Sequence, residues 1–83
     1  MYNESMEIKY SKQATKYLAK TNSVKRLKVV NKIKKIPLGD IKKFINHPKA
    51  THRLRIGAIR VLFRMEQNNI IIAKIGNRGD IYK

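Results

Sequence analysis

The chain has 83 residues and a mass of 9.7 kDa, with 20 Lys plus Arg against 5 Asp plus Glu, a formal net charge of +15. That length allows one domain, 1–83, with a single modest core and no deep enclosed pocket. An apolar content of 42% with only four Gly and two Pro excludes a disordered basic tail, the absence of Cys excludes disulfides and thiolate chemistry, and two His (His47, His52) with five scattered carboxylates supply too few ligands for a zinc or calcium cage.

The opening MYNESMEIKY lacks the apolar stretch of a leader, and no run approaches the roughly 18 apolar residues that would cross a bilayer, so the cytoplasm is the expected location. Met6, Ile8 and Tyr10 alternate with Glu7 and Lys9, predicting a short strand. Ser11 stands where a helix N-cap belongs, and Ala14, Tyr17 and Leu18 then share one helical face. Thr21-Asn22 interrupts this pattern, and Ser23 can cap a second helix running to about Ile36, which Pro37 helps to end. On that helix Leu27, Val30 and Ile33 are expected to face inward, with Lys25, Lys28, Lys32 and Lys35 lining the other side. This lysine stripe reads either as a solvated face or as an electrostatic footprint for a phosphate backbone or an acidic partner. Its use on a membrane is disfavoured, because the apolar side has aliphatics and no Trp or Phe anchor.

Leu38 to Ala50 is turn-rich, with Ile41, Phe44 and Ile45 to dock it and a helical turn expected at Ile41 to Ile45. The period then changes. Thr51–Ile56, Ile59–Met65 and Ile70–Ile75 are rich in β-branched residues and read as a three-stranded meander, with a short closing strand from Asp80 to Tyr82. Two helices packed on a twisted, mainly antiparallel sheet of four to five strands make an α+β fold.

Strand alternation sorts the arginines. With Gly57-Ala58 as a two-residue hairpin loop, Ile56 pairs with Ile59 and Leu54 with Val61 on the core face. The same register sets Arg55 opposite Arg60 on the other face, with Arg53 diagonally beyond and Leu62 and Arg64 on the same side. Like charges directly across an antiparallel pair are destabilising unless something anionic lies between or above them. A three-residue loop, Gln67-Asn68-Asn69, sends Ile71, Ala73 and Ile75 to the core and Lys74, Gly76 and Arg78 to the basic face; a two-residue loop would turn Lys74 inward. The expected surface therefore gathers Arg53, Arg55, Arg60, Lys74 and Arg78, with Tyr82 nearby as a stacking platform and Gly76 allowing close approach. Arginine suits bidentate grip on phosphate, and a pI near 10.5 points to a polyanionic partner.

The stretch HRLRIGAIRVLFRMEQNNIIIAKIGNRGDIY resembles the C-terminal half of the RelE/ParE toxin superfamily of toxin-antitoxin systems, most specifically in R-L-R-I-G-x-x-R-V, the following I-G-x-R and the terminal D-I-Y. Its order of a leading strand, a helical hairpin and a twisted sheet is also similar, and IKYSKQATKYL provides a looser N-terminal match. The resemblance implies the RelE-like fold and a toxin neutralised by a cognate acidic antitoxin. In the RelE-like branch members cleave mRNA, usually on the ribosome; in the ParE-like branch they poison DNA gyrase. Arg53 and Arg55 fall at the two basic positions of the first hairpin strand, Arg60 at the arginine of the next, Arg78 after the I-G turn, and Tyr82 at a tyrosine that stacks on or activates the substrate. Several members have Lys in the first-strand pair, where a lowered pKa can make a base; Arg cannot serve so. With Tyr82 next to the last residue, none of the C-terminal helix that some members have is expected.

The implied activity is a metal-independent endoribonuclease without cofactor, in which the ribose 2′-hydroxyl attacks the adjacent phosphate to give a 2′,3′-cyclic phosphate. Arg55, Arg60 and Arg78 would stabilise the phosphorane, Tyr82 would stack, and Arg53, Lys74 and the lysines Lys25, Lys28, Lys32 and Lys35 would bind RNA. The base is open among Tyr82, His52 and an RNA group; alternation places His52 on the core side, and His47 reads as a loop residue. The expected partners are mRNA, the 70S ribosome and the antitoxin, with no membrane and no small-molecule cofactor. A ParE-like gyrase inhibitor and a non-catalytic basic nucleic-acid-binding protein are the competing readings.

Overall fold

The computed structural model describes residues 7–43 and 47–81. Strand β1 (Glu7–Tyr10) leads into α1 (Lys12–Lys20) and α2 (Ser23–Lys34), followed by β2 (Asp40–Lys43), β3 (His52–Ile56), β4 (Ile59–Glu66) and β5 (Asn69–Asn77). The five strands form one sheet in the order β1-β5-β4-β3-β2, with β1 parallel to β5 and the other neighbours antiparallel. Expected as a mainly antiparallel sheet of four to five strands under a helical hairpin, the α+β architecture is observed.

Both helices start on side-chain caps. Ser11 Oγ accepts from the Ala14 amide at 3.1 Å, as its position predicts, whereas α2 is capped by Asn22, whose Oδ1 accepts from the Lys25 amide at 2.8 Å. Ser23 is therefore the first helical residue and not the cap. The helix ends at Lys34, and Lys32 and Lys34 in its last turn suit the negative end of the helix dipole.

The core lies between the helices and one sheet face, where Ala14, Val29, Ile33 and Ile36 meet Leu54, Ile56, Ile59, Val61, Phe63, Ile70, Ile72 and Ile75, all buried. Fully burying one such aliphatic side chain contributes about 1.5–3 kcal/mol. The inward face of α2 is thus Val29 and Ile33, with Ile36 joining them just beyond the helix end; of the residues expected inward, Ile33 is buried, Val30 is half-buried and outside the core cluster, and Leu27 is 63% exposed. A shift of two positions rotates a helical residue by about 200°, which carries Leu27 away from the side that Val29 occupies.

Three further expectations are corrected. Asp40–Lys43 forms strand β2, paired with β3, where a helical turn was expected from Ile41; Phe44 and Ile45 lie outside the described residues, as does Met6. The segment after β5 is a turn through Ile81, not a closing strand: the amides of Asp80 and Ile81 both donate to the Asn77 carbonyl at 3.0 Å. The β4–β5 loop has two residues, Gln67 and Asn68, and Asn69 already pairs with Glu66. Gln67 accepts the left-handed conformation that such a loop needs, at φ 53°.

That short loop buries Ile70 and Ile72, and leaves Ile71 and Ala73 outside the main core. Lys74 nevertheless reaches the arginine face, because the register slips: Phe63 pairs with Ile72 but Leu62 with Lys74, so Ala73 is the extra residue of a β-bulge. One inserted residue inverts the parity of everything after it, and Ile75 returns to the core.

The outer edge of this bulge is held by α1. Beyond Ile72 β1 is absent, and the Ser11 amide donates to the Ile72 carbonyl at 2.9 Å while Ser11 Oγ donates to the Ala73 carbonyl at 2.8 Å. Gln13 then binds Ile75 twice, Nε2 donating to its carbonyl and Oε1 accepting from its amide, each at 2.9 Å. A side-chain amide replaces the missing strand partner.

The second sheet face has a small core of its own. Leu62 is wholly buried there with Ala50 and Ile81, and Ala73 packs against them.

Candidate functional site

The hairpin Arg53–Arg60 turns at Gly57-Ala58 with the anticipated register, Ile56 opposite Ile59, Leu54 opposite Val61 and Arg55 opposite Arg60. Gly57 has φ 59°, a left-handed conformation that glycine adopts at no steric cost. The Arg78 amide donates to the Ala58 carbonyl at 2.9 Å, which ties the turn after β5 to the hairpin end. Arg55, Arg60 and Arg78 are thus gathered at one end of the sheet, with Arg53 two pairs further along β3.

Their environments differ. Arg60 is only 8% exposed, and its Nη1 donates to the carbonyls of Gly57 at 2.8 Å and Ile59 at 3.3 Å. Arg78 is exposed. Arg53 and Arg55 both lean toward Asp40 at the start of β2: Asp40 Oδ1 is 3.9 Å from Arg53 Nη2, and Oδ2 is 3.9 Å from Arg55 Nε. The Arg53 side chain is 15% exposed, those of Arg55 and Asp40 56% and 57%. The like-charge opposition of Arg55 and Arg60 is therefore relieved twice, by a carboxylate beside one and by carbonyl oxygens on the other.

Gly76 faces Arg60 across β4–β5, and a Cβ there would stand 3.2 Å from Ile81 Cδ1. The close approach expected at Gly76 is made by Ile81. Tyr82, the next residue, lies outside the described residues. Lys74 is on the arginine face opposite Leu62.

The lysines of α2 are on the opposite side of the sheet. Lys25 and Lys28 border a groove of about 560 Å³ that reaches the hairpin turn at Gly57 and Ala58 and the end of β5 at Asn77, while Lys32 lies further along the helix and Lys35 at its C-cap. Arg64, on the arginine face by parity, belongs to the other end of β4: its Nε pairs with Glu66 at 2.8 Å and its Nη1 donates to the Lys49 carbonyl at 2.9 Å.

His52 is on the core side, its ring stacked on Phe63 with centroids 5.3 Å apart and hydrogen-bonded to Thr51 Oγ1 at 2.8 Å. His47 is in the loop before β3, accepting from the Lys49 amide. Burial pushes the Tyr10 and Tyr17 phenols up, and both pack against the helix-side core. Among the described residues, no three His, Asp or Glu side chains come together as a metal site requires, and no helix is long and apolar enough to cross a membrane.

Asp40 is the member of this cluster that the sequence did not announce, since it sits in a stretch with one apolar residue at strand spacing. The only trace is parity: once DIKK is paired with HRLR, Asp40 and Lys42 fall on the face of Arg53 and Arg55.

No protein-family model matches the chain, and no curated protein matches it. Solved structures do. A chain of the toxin-antitoxin complex RelBE2 from Mycobacterium tuberculosis is similar at 20% identity and a TM-score of 0.70, over 88% of this chain and 98% of that one. A chain of the archaeal RelE-RelB complex from Pyrococcus horikoshii is similar at 21% identity and a TM-score of 0.68, over 90% and 97%. A chain of the RelB-RelE antitoxin-toxin complex from Methanococcus jannaschii is similar at 23% identity and a TM-score of 0.64, over 89% and 94%. With strand order, helical hairpin and near-complete mutual coverage in agreement, the chain has the RelE-like fold.

Proposed function

We propose that this chain is the toxin of a toxin-antitoxin pair and a metal-independent endoribonuclease that acts on mRNA in the cytoplasm, on the 70S ribosome. The observation that carries the reading is the collection of Arg53, Arg55, Arg60 and Arg78 at the hairpin end of a RelE-like sheet. Four guanidinium groups around one shallow surface suit a substrate whose charge grows during reaction, as a phosphate does on passing to a pentacoordinate phosphorane.

Each residue has a distinct part. Arg55 and Arg78, both exposed, contact the scissile phosphate and its leaving group. Arg60, held by two carbonyls, supplies fixed positive charge from beneath. Arg53 and Lys74 grip the neighbouring backbone, and Tyr82 stacks on a base. The lysines of α2 add long-range attraction and face a ribosomal RNA or an acidic antitoxin segment that folds on binding.

The test is induction in a bacterial host with and without an Arg78→Ala substitution, scored by growth and by primer extension on translated messages. Growth arrest with new mRNA ends bearing 2′,3′-cyclic phosphates is expected from the natural sequence and not from the variant. Arrest with intact mRNA and broken or relaxed DNA would replace this reading with a gyrase poison; RNA binding without arrest or cleavage would leave a simple nucleic-acid binder.

A further inference from the structure

We propose that Asp40 accepts the proton of the attacking ribose 2′-hydroxyl. This rests on the nuclease reading above and assigns the one role that reading left open. Asp40 begins the edge strand β2, in register with Arg55 and diagonal to Arg53, so its side chain is on the arginine face by strand parity. Its two oxygens point at different arginines, each at 3.9 Å, and 57% of the side chain is exposed. The charged groups facing it are Arg53 and Arg55 from β3, with Lys42 two residues along its own strand on the same face.

A guanidinium has five N–H donors in a planar fork, and one long contact to a carboxylate oxygen engages only one edge of it. The scissile phosphate on Arg55, with the adjoining backbone on Arg53, would therefore sit beside the Asp40 carboxylate. In an attacking pose the 2′-oxygen is about 3–3.5 Å from the phosphorus, which brings its hydroxyl to the same neighbourhood. The other described candidates are poorly placed: His52 is stacked on Phe63 on the helix side, Tyr10 and Tyr17 pack against the helix-side core, and arginines do not give up their protons. A carboxylate offers two acceptor oxygens without giving up a proton of its own, as a phenol must before it can accept one.

The step balances. The O2′–P bond forms as the P–O5′ bond breaks, the 2′-hydroxyl proton passes to the Asp40 carboxylate, and the departing 5′-oxygen takes a proton from water. Product release returns the Asp40 proton to solvent, with no metal or redox partner required.

The experiment uses the whole chain, with Asp40→Asn and Asp40→Glu, in single-turnover cleavage of mRNA on translating ribosomes. Binding is measured separately on an uncleavable oligonucleotide with 2′-deoxyribose at the scissile position. Asp40→Asn is expected to slow cleavage about 10²–10⁴-fold, with binding unchanged or tighter. Asp40→Glu, which keeps the carboxylate, is expected to recover most of the rate with binding again unchanged. An Asp40→Asn rate within threefold of the natural protein, or a loss of rate matched by a loss of binding, would overturn the assignment while leaving a nuclease. Failure of the natural protein to cleave RNA would overturn the nuclease reading and this assignment with it.

Discussion

Arg55 and Arg60 face each other directly across β3 and β4, and each meets oxygen elsewhere: Arg55 leans to Asp40 on β2, while Arg60 folds onto the carbonyls of Gly57 and Ile59. One arginine is thus exposed and adjustable, the other buried and fixed. The difference separates a residue that holds the turn from one free to meet a ligand at the same end of the sheet.

Replacing Arg60 by Ala removes charged hydrogen bonds to two turn carbonyls and should lower the unfolding free energy by about 1.5–3 kcal/mol in urea titration. Arg78→Ala, at an exposed side chain, should leave unfolding within about 0.5 kcal/mol. Its cleavage rate should still fall about 10²–10³-fold. The pair of measurements distinguishes a buried positioning charge from a group that touches substrate.

Leu62 reads from the sequence as a residue of the open basic face, yet it is wholly buried under Ala50 and Ile81. Leu62→Ala should therefore cost about 2–5 kcal/mol by urea unfolding. Met65, on the core side by alternation but 44% exposed near the strand end, should cost under about 1 kcal/mol when changed to Ala.

Gln13→Ala leaves both the amide and the carbonyl of Ile75 without the side chain that pairs them. A loss of about 1–3 kcal/mol is expected, together with faster hydrogen exchange at the Ile75 amide than at the Ile70 amide.

Lys32 in α2 and Lys35 at its C-cap are on the opposite side of the sheet from Arg55 and Arg78. Changing both to Ala should make the salt dependence of long-RNA binding shallower, by about 0.7 in log–log slope for each phosphate that is no longer neutralised. Affinity for an oligonucleotide too short to pass around the sheet should not change. Equal weakening for both ligands would mean that the helix and sheet surfaces are not separate.

Much of this was legible because two residues carried both halves of an inference. Gly57-Ala58 fixed the hairpin, and alternation on either side then fixed which arginines share a face. Asn22 could not be chosen over Ser23 as the cap, since both side chains suit the position and only the inward side of α2 decides between them. Strand β2 has a single inward aliphatic, Ile41, and four residues are too few to show a period. Asp40 was hidden with it. Gln13 was equally opaque: a glutamine that completes a sheet edge looks the same in sequence as one in solvent.

The bulge at Ala73 has a consequence for anyone altering β5. Before it, inward side chains occupy even positions, Ile70 and Ile72; after it, the inward side chain is at the odd position Ile75. The strand is thus written in two phases joined at one alanine. Pairing that alanine regularly, without the bulge, would bring a single phase to the whole strand and force a choice between a buried Lys74 and an exposed Ile72; deleting it would join the two phases into one that keeps Ile72 and Ile75 inward and Lys74 outward. The protein keeps its cationic face and its core at once only because one residue is not counted by either.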